Sequence, residues 1–471
     1  MDYMTEKREC AAAGKCGACQ TLNLTYEREL SMKMKKCITL LGRFGHVEEI
    51  IPMENPVHYR NKVQYLFRFE RGRTRFGLYR SSDGGIVSTN SCLMEDEEIS
   101  SLARSVKELA EKFRLSVYDG RRGLIRHVMV RRAFATGEIL CAIVTTKEDF
   151  PRAEEFAAEL VKLNGNLKSV SRIINDTDTP LWMGGEETVL FGCGKITDEL
   201  CGCRFEISAK SFYQINPVQT EVLYGKAAEF AEVTETDNLL DAYCGIGTVG
   251  IIAAKNGCGS LTAFDVNADA VADAKRNAAL NGIKNAEFLR ANDASFILKA
   301  KKQMNTIFAD PPRAGCDRKF LNFVLEHKPE KLVYISCNPE TLARDIACLK
   351  SGYKVKRIQP VDMFPGTVHV ETVCLLSKLN AKQHIEINLD MDELDLTDAE
   401  KKATYQEIKD YVLEHSGLKV SSLYIAQVKQ QCGIIERENY NKPKSEDAKQ
   451  PQCPPDKEKA IKEALKHFGM I

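Results

Sequence analysis

The chain has 471 residues, 44% of them hydrophobic and 28% charged, and its 66 basic and 66 acidic side chains cancel to zero formal net charge. That length supports about three domains with cores of their own, and no stretch approaches the roughly 18 uninterrupted apolar residues of a membrane span. The balanced charge excludes a globally basic nucleic-acid binder, so any basic patch must be local.

The first residues, MDYMTEKREC, lack the apolar centre of a secretory signal, so a cytoplasmic and monomeric protein is expected, with no membrane partner. Seventeen cysteines in a reducing compartment point to thiols and metal ligation over disulfides. Residues 1–44 form a first region. It opens on CAAAGKCGAC, which spaces Cys10, Cys16 and Cys19 along a loop rich in Gly and Ala. Such a loop can wrap an iron-sulphur cluster or a zinc ion, and either needs a fourth ligand. Cys37 lies on a predicted helix from Tyr26 to Leu41 and fits a core position. Cys92 follows the turn-rich SSDGGIVSTNS and is the preferred fourth ligand.

Residues 45–205 read as a β-rich central domain. VHYRNKVQYLFRFERGRTRFGLYR alternates polar and apolar residues over two runs joined at Arg71-Gly72-Arg73, a predicted hairpin. Arg60, Lys62, Arg68, Arg71, Arg73, Arg75 and Arg80 are interleaved there with tyrosines and phenylalanines, and a second basic run covers Arg121 to Arg132. Basic groups bind phosphates and aromatics stack on unpaired bases, so this is a candidate single-stranded RNA surface. A solvated strand face over a packed aromatic side is the alternative.

From residue 206 to 380 strands and helices alternate, as in an α/β domain with a parallel sheet. SFYQINPVQTEVLY leads into a helix, and NLLDAYCGIGTVG gives a strand ending at Asp241, then a loop with Gly245, Gly247 and Gly250. The next strand ends in Asp265. This is a nucleotide-type fingerprint: glycines let the backbone approach the ligand, and the later carboxylate takes ribose hydroxyls. An NAD-dependent oxidoreductase is one reading. Asp241, Tyr243 and Cys244 before the loop, and the rigid strand-end turn Asp310-Pro311-Pro312-Arg313, favour S-adenosylmethionine instead. In KLVYISCNPETLARD a buried strand ends at Ile335 and a helix starts near Thr341, which puts Cys337 at a strand's carboxyl end, where ligands bind in such sheets. The loop Asp362 to Glu371 then leads into a final strand. Glu371 is a candidate base there, or else an exposed strand-edge charge.

Residues 381–471 read as an acidic linker, INLDMDELDLTDAE, followed by helical patterns and a polar, Pro-rich turn. They form a small helical C-terminal extension with a weak helix-turn-helix likeness.

The ordered motifs CAAAGKCGACQ, HYRNKVQY, GLIRHVMVR, SFYQINPVQTEVLY, DAYCGIGTVG, ADPPRAG, ISCNPETLARD and MFPGTVHVET resemble the RNA 5-methyluridine (uracil-C5) methyltransferase family, in its iron-sulphur form acting on bacterial 23S ribosomal RNA. The resemblance implies a Rossmann-like, S-adenosylmethionine-dependent methyltransferase domain, with a 4Fe-4S cluster held by Cys10, Cys16, Cys19 and Cys92. It implies Cys337 as the nucleophile that adds to uracil and Glu371 as the base. It places Gln214, Tyr243, Gly245, Thr248, Asp265, Asn292 and Asp310 around the cofactor, and Phe212 is the candidate for stacking on the extruded base. The family often has Asn where Thr248 stands and Glu where Asp265 stands. Many members also begin with a small β-barrel RNA-binding domain, so here the grip on RNA is expected from the central domain or the C-terminal part. Transfer RNA is the alternative substrate, for the same chemistry.

Overall fold

The alternating run after Asn61 forms β1 (Lys62–Glu70) and β2 (Arg73–Tyr79). The two residues between them, Arg71 and Gly72, take φ of 51° and 75°, the mirror-image turn whose twist matches that of the flanking strands. They belong to a sheet completed by β3 (Ile86–Val87), β4 (Ile125–Arg132), β5 (Ile139–Thr145), β6 (Leu167–Ile174) and β7 (Glu187–Phe191), in the order β3-β2-β1-β4-β5-β6-β7. Only β5 and β6 run parallel, across the helix Ala153–Leu163. A two-stranded hairpin, β8 (Lys195–Leu200) and β9 (Cys203–Ser208), lies against β5 and β6. The computed structural model describes residues 4–80, 82–88, 92–177, 185–292, 303–379, 405–432 and 453–468. They fall into two units, Met1–Gln383 and His384–Ile471.

Every residue of β5 is buried, because each of its faces is covered by a different layer. One face packs on the helices Glu97–Lys112 and Ala153–Leu163 through Ile139, Cys141 and Ile143. On the other, Leu140, Ala142 and Val144 join a single cluster with Phe205, Tyr213, Leu223 and Val249. The central sheet and the α/β part therefore share a core, and the expected boundary at residue 205 falls inside β9.

The second sheet comprises β10 (Asn238–Ala242), β11 (Ser260–Asp265), β12 (Ala286–Arg290), β13 (Thr306–Ala309), β14 (Lys331–Ser336), β15 (Tyr353–Val361) and β16 (Glu371–Lys378). Its order is β12-β11-β10-β13-β14-β16-β15, with β16 antiparallel to both of its neighbours. The chain winds outward from β10 through β11 to β12, then returns to the other side of β10 with β13. That reversal opens a crevice beyond the carboxyl ends of β10 and β13, the place where open α/β sheets bind ligands.

The helix Tyr26–Leu41 starts at Thr25, which accepts from the Arg28 amide, and has Glu27 and Glu29 in its first turn, both favourable to a helix N-terminus. It packs on the helix Pro339–Leu349 and on β15, burying Cys37 and Leu41 in the α/β core. In the second unit the helices Tyr405–Ser416, Ser422–Gln431 and Pro455–His467 enclose Ile408, Val412, Ile425, Val428, Ile461 and Leu465. The last helix starts at Pro455, since Pro455, Asp456 and Glu458 suit its first turn. The acidic linker lies outside the described residues. Among those described, no helix is long and apolar enough to cross a membrane.

Candidate active site

The strand β14 ends one residue before Cys337, in a turn locked by its neighbours. The Ser336 hydroxyl donates to the Asn338 carbonyl at 3.0 Å and accepts from the Asn338 amide at 3.2 Å. Asn338 in turn caps the helix Pro339–Leu349 through the Glu340 amide at 3.1 Å. Ser336 is the last residue of β14 paired with β16, opposite Thr372. The next residues outward on the two strands are Cys337 and Glu371. Cys337 is half-buried, so it is not the core cysteine that its neighbours on the strand would suggest. Glu371 is only 3% exposed, so it is no edge charge.

Burial, and then the Asp310 carboxylate, push the Glu371 carboxyl well above the usual range, while Arg313 pulls it back. Burial likewise pushes the Cys337 thiol up to about 11, with Glu371 and Asp310 adding to the rise and Arg313 opposing it. Arg313 also reaches His369 at 3.4 Å. Arg313 stands in the strand-end turn of ADPPRAG and His369 in MFPGTVHVET, and the sequence assigns neither a role in the site.

Asp310 follows β13 at the crevice. Burial raises its carboxyl to about 7, opposed by a hydrogen bond from Tyr224. The Tyr224 hydroxyl donates to Asp310 Oδ2 at 3.5 Å and accepts from Gln214 Nε2 at 3.4 Å. Tyr224 also faces Thr248, the first residue of the helix Thr248–Ala254. It was not among the expected site residues. Its one signal is its place one helical turn after Thr220 and two after the cap Asn216, on the buried face of the helix Pro217–Ala231.

The glycine loop folds around two carboxylates. The Gly250 amide donates to Asp241 Oδ2 at 2.8 Å, and a Cβ at Gly250 would lie 2.8 Å from that same oxygen, so only glycine permits the approach. Asp241 Oδ1 is buried without a partner among the described residues, and burial pushes the carboxyl up to about 8. Asp265 accepts from the Gly245 amide at 3.0 Å and from the Asn267 amide at 2.8 Å, leaving lone pairs on both oxygens. Tyr243 has φ of 63° and packs its ring 5.5 Å from Phe320. Asn292 is exposed, two residues beyond β12.

Phe212 is 65% exposed, on a loop held from below by the central sheet. Arg131 donates to the Ser208 and Ser211 carbonyls at 3.0 and 2.8 Å, and Asn61 to the Gln214 carbonyl at 3.1 Å. Arg131 is thus turned inward, and Arg126 likewise donates to the Asn175 carbonyl at 2.6 Å, so the second basic run is structural at these two positions and not a phosphate-facing surface. Arg71, Arg73, Arg75, Arg121 and Arg122 are exposed, and Tyr79 is 58% exposed. Phe76 stacks on Tyr65 at 5.2 Å and lies tilted against Phe67 at 4.8 Å.

Cys10, Cys16, Cys19 and Cys92 line one cavity of about 270 Å³, together with Arg60, Lys62 and Glu95. Cys37 lies apart, in the α/β core. Among the described residues no three His, Cys, Asp or Glu side chains are gathered closely enough to hold a single metal ion.

The family described as tRNA (uracil-5-)-methyltransferase matches residues 196–379. An uncharacterized RNA methyltransferase of Bacillus cereus is 39% identical over 382 residues, covering 79% of this chain and 83% of that one. A second, from Clostridium tetani, is 37% identical over 384 residues, with the same coverage. The crystal structure of the Pyrococcus abyssi tRNA (uracil-54, C5)-methyltransferase, in complex with S-adenosyl-L-homocysteine, superposes with a TM-score of 0.65 and 29% identity, covering 76% of this chain and 86% of that one. Identity at this level over most of both chains, on a sheet whose strand ends carry Asp310, Cys337 and Glu371, shows that the chain belongs to the RNA uracil-C5 methyltransferase family.

Proposed function

We propose that the protein transfers a methyl group from S-adenosylmethionine to carbon 5 of a uridine in 23S ribosomal RNA, with Cys337 as nucleophile and Glu371 as base. The observation that carries this reading is the placement of Cys337 and Glu371 at adjacent positions past the paired end of β14 and β16. Cys337, as thiolate, bonds to uracil carbon 6 and makes carbon 5 an enolate-type nucleophile. The donor supplies the electrophilic methyl group. Glu371 then takes the proton from carbon 5, the 5,6 double bond re-forms, and the thiolate leaves. Burial raises the Glu371 carboxyl above the usual carboxylate range, which makes it a stronger base once ionised.

The donor carries a sulphonium and an ammonium charge. Asp241 is a buried and Asp310 a part-buried carboxyl, each with its ionisation disfavoured without a counter-charge, and Asp241 Oδ1 has an unused acceptor among the described residues, so a cationic ligand fits here. Gln214, Tyr243, Gly245, Thr248, Asp265 and Asn292 surround the same crevice in this reading, with Asp265 offering its remaining lone pairs to the ribose. Phe212 is an exposed platform on which an extruded base can stack.

Four thiols converging on one cavity fit a 4Fe-4S cluster, which spreads its thiolates over several irons and so needs them less close than a single ion does. Methyl transfer moves no net electrons, so the cluster's role here is structural or RNA-contacting. Transfer RNA is the second reading, favoured by the substrate named for the Pyrococcus abyssi enzyme and by the matched family's description. Methylation of purified 23S and transfer RNA, with 5-methyluridine mapped by mass spectrometry, separates the two. Modification of transfer RNA alone would reject the ribosomal assignment.

A further inference from the structure

The base Glu371 opens β16 opposite Val361, the last residue of β15, so residues 362–370 are the tip of a hairpin whose far side begins at the base. Five consecutive carbonyls of this tip are each taken by a donor from elsewhere in the chain. Gln219 donates to Asp362 O at 3.0 Å, Asn216 to Met363 O at 2.8 Å, and Lys33 to Phe364 O at 3.1 Å. The Tyr59 hydroxyl donates to Pro365 O at 2.8 Å, and the Gln20 and Thr21 amides to Gly366 O at 2.9 and 3.2 Å. Surface loops normally leave such groups to water. Here the backbone is over-determined by four separate segments.

A buried ion network clamps the same tip. Lys33 bridges Glu29 at 2.7 Å and Asp362 at 2.6 Å, and Arg8 pairs with Glu29, all at 0–1% side-chain exposure. Glu29 also accepts from the Gly366 amide at 2.8 Å, and the Tyr26 hydroxyl donates to Asp362 at 2.7 Å. Two cations face two carboxylates, which is how charges persist away from water. Tyr26 and Tyr59 also belong to an apolar cluster with Leu22 and Met94, against which Cys10, Cys19 and Cys92 of the cysteine-lined cavity pack. Gln20 and Thr21 follow Cys19 directly. Cys337, by contrast, hangs on β14 and its helix, with no bond to this seat in its turn.

We propose that Tyr59 and Tyr26 are positioning residues that transmit the packing of the cysteine-lined cavity to Glu371 through residues 362–366. Loosening this seat leaves addition of Cys337 to the base intact and slows removal of the carbon 5 proton by Glu371. The inference rests on the roles assigned to Cys337 and Glu371 under Proposed function.

The test compares full-length Tyr59→Phe and Tyr26→Phe with Glu371→Gln and with Tyr353→Phe. Tyr353 is a matched control: its buried hydroxyl donates to the Pro329 carbonyl at 2.9 Å, away from the hairpin tip. The expected result for Tyr59→Phe is a kcat about tenfold lower, the range for a slightly misplaced catalytic group. KM values for RNA and donor stay within about twofold of wild type on the same reasoning, since neither ligand is held by this seat. A denaturation-resistant RNA–protein adduct accumulates, as in Glu371→Gln, and Tyr26→Phe moves in the same direction. Tyr353→Phe shows neither effect. Unchanged kcat in both tyrosine variants overturns the proposal, as does slowing without adduct while Glu371→Gln accumulates it, or an equal effect in Tyr353→Phe. Absence of adduct in Glu371→Gln itself refutes the base assignment, and this proposal with it.

Discussion

Cys337 and Glu371 are the next residues outward from the last β14–β16 pair, Ser336 and Thr372, at adjacent ends of two antiparallel strands, so a thiol and a buried carboxyl face the same crevice. A nucleophile and a base that act in succession on neighbouring ring carbons need this kind of proximity.

Glu371→Gln keeps the shape of the side chain and removes its basicity. Addition and methyl transfer proceed, elimination stalls, and turnover falls by ~10²–10⁴-fold, the usual contribution of a positioned base. Gel electrophoresis under denaturing conditions should show an RNA-linked protein band whose peptide map places the link on Cys337.

Donor affinity should depend on pH through Asp310. Its carboxyl sits at about 7 in the free protein because of burial, and a cationic ligand favours the ionised form, so binding releases a proton near neutrality. Affinity tightens as pH rises from 6 to 8. Calorimetry in buffers of different ionisation enthalpy measures the released proton, and Asp310→Asn should reduce both the release and the pH dependence, leaving the part that Asp241 contributes.

Stability of the ligand-free protein should move the other way. Asp241 is raised from 3.8 to about 8, so the folded state holds a proton there that the unfolded state has lost. Its stabilisation is full below the ordinary carboxylate pKa and disappears as pH rises through 8. The melting temperature therefore falls across that window, and Asp241→Asn flattens the fall, since an amide still accepts from the Gly250 amide without the cost of ionisation.

On the proposed 4Fe-4S cluster, Cys16→Ser should remove iron, measured by absorbance and metal analysis, and lower the melting temperature, since one of the four thiols lining the cavity is lost. Retained methylation of a short RNA after complete loss of iron would contradict a folding role for the cluster.

Much of this site was legible in the chain because its residues sit where local patterns end. The apolar run before Ser336 stops at a polar turn, which marks Cys337 as a strand-tip residue, and the glycines after Asp241 mark a close backbone approach. The neighbourhood of Cys337 and Glu371 was not readable from local pattern, because it depends on β16 inserting antiparallel between β14 and β15. Tyr224 was missed because it looks like any apolar-face residue of an amphipathic helix, and only the tertiary fold brings its hydroxyl to Asp310. Arg126 and Arg131 read as surface charge, yet the carbonyls at Asn175, Ser208 and Ser211 needed donors and drew them inward. The prediction of Cys92 over Cys37 as the fourth thiol rested on one being in a loop and the other on a helix. The structure places Cys92 in the cavity with Cys10, Cys16 and Cys19, and Cys37 in the α/β core.

The most direct test of the central claim is methyl incorporation into 23S ribosomal RNA by Cys337→Ala, with donor binding measured in parallel. Donor affinity is expected within about twofold of wild type, since Cys337 follows β14, two strands from β10, whose end carries the glycine loop, and no 5-methyluridine above background is expected because the covalent step is lost. Turnover by Cys337→Ala would contradict that claim.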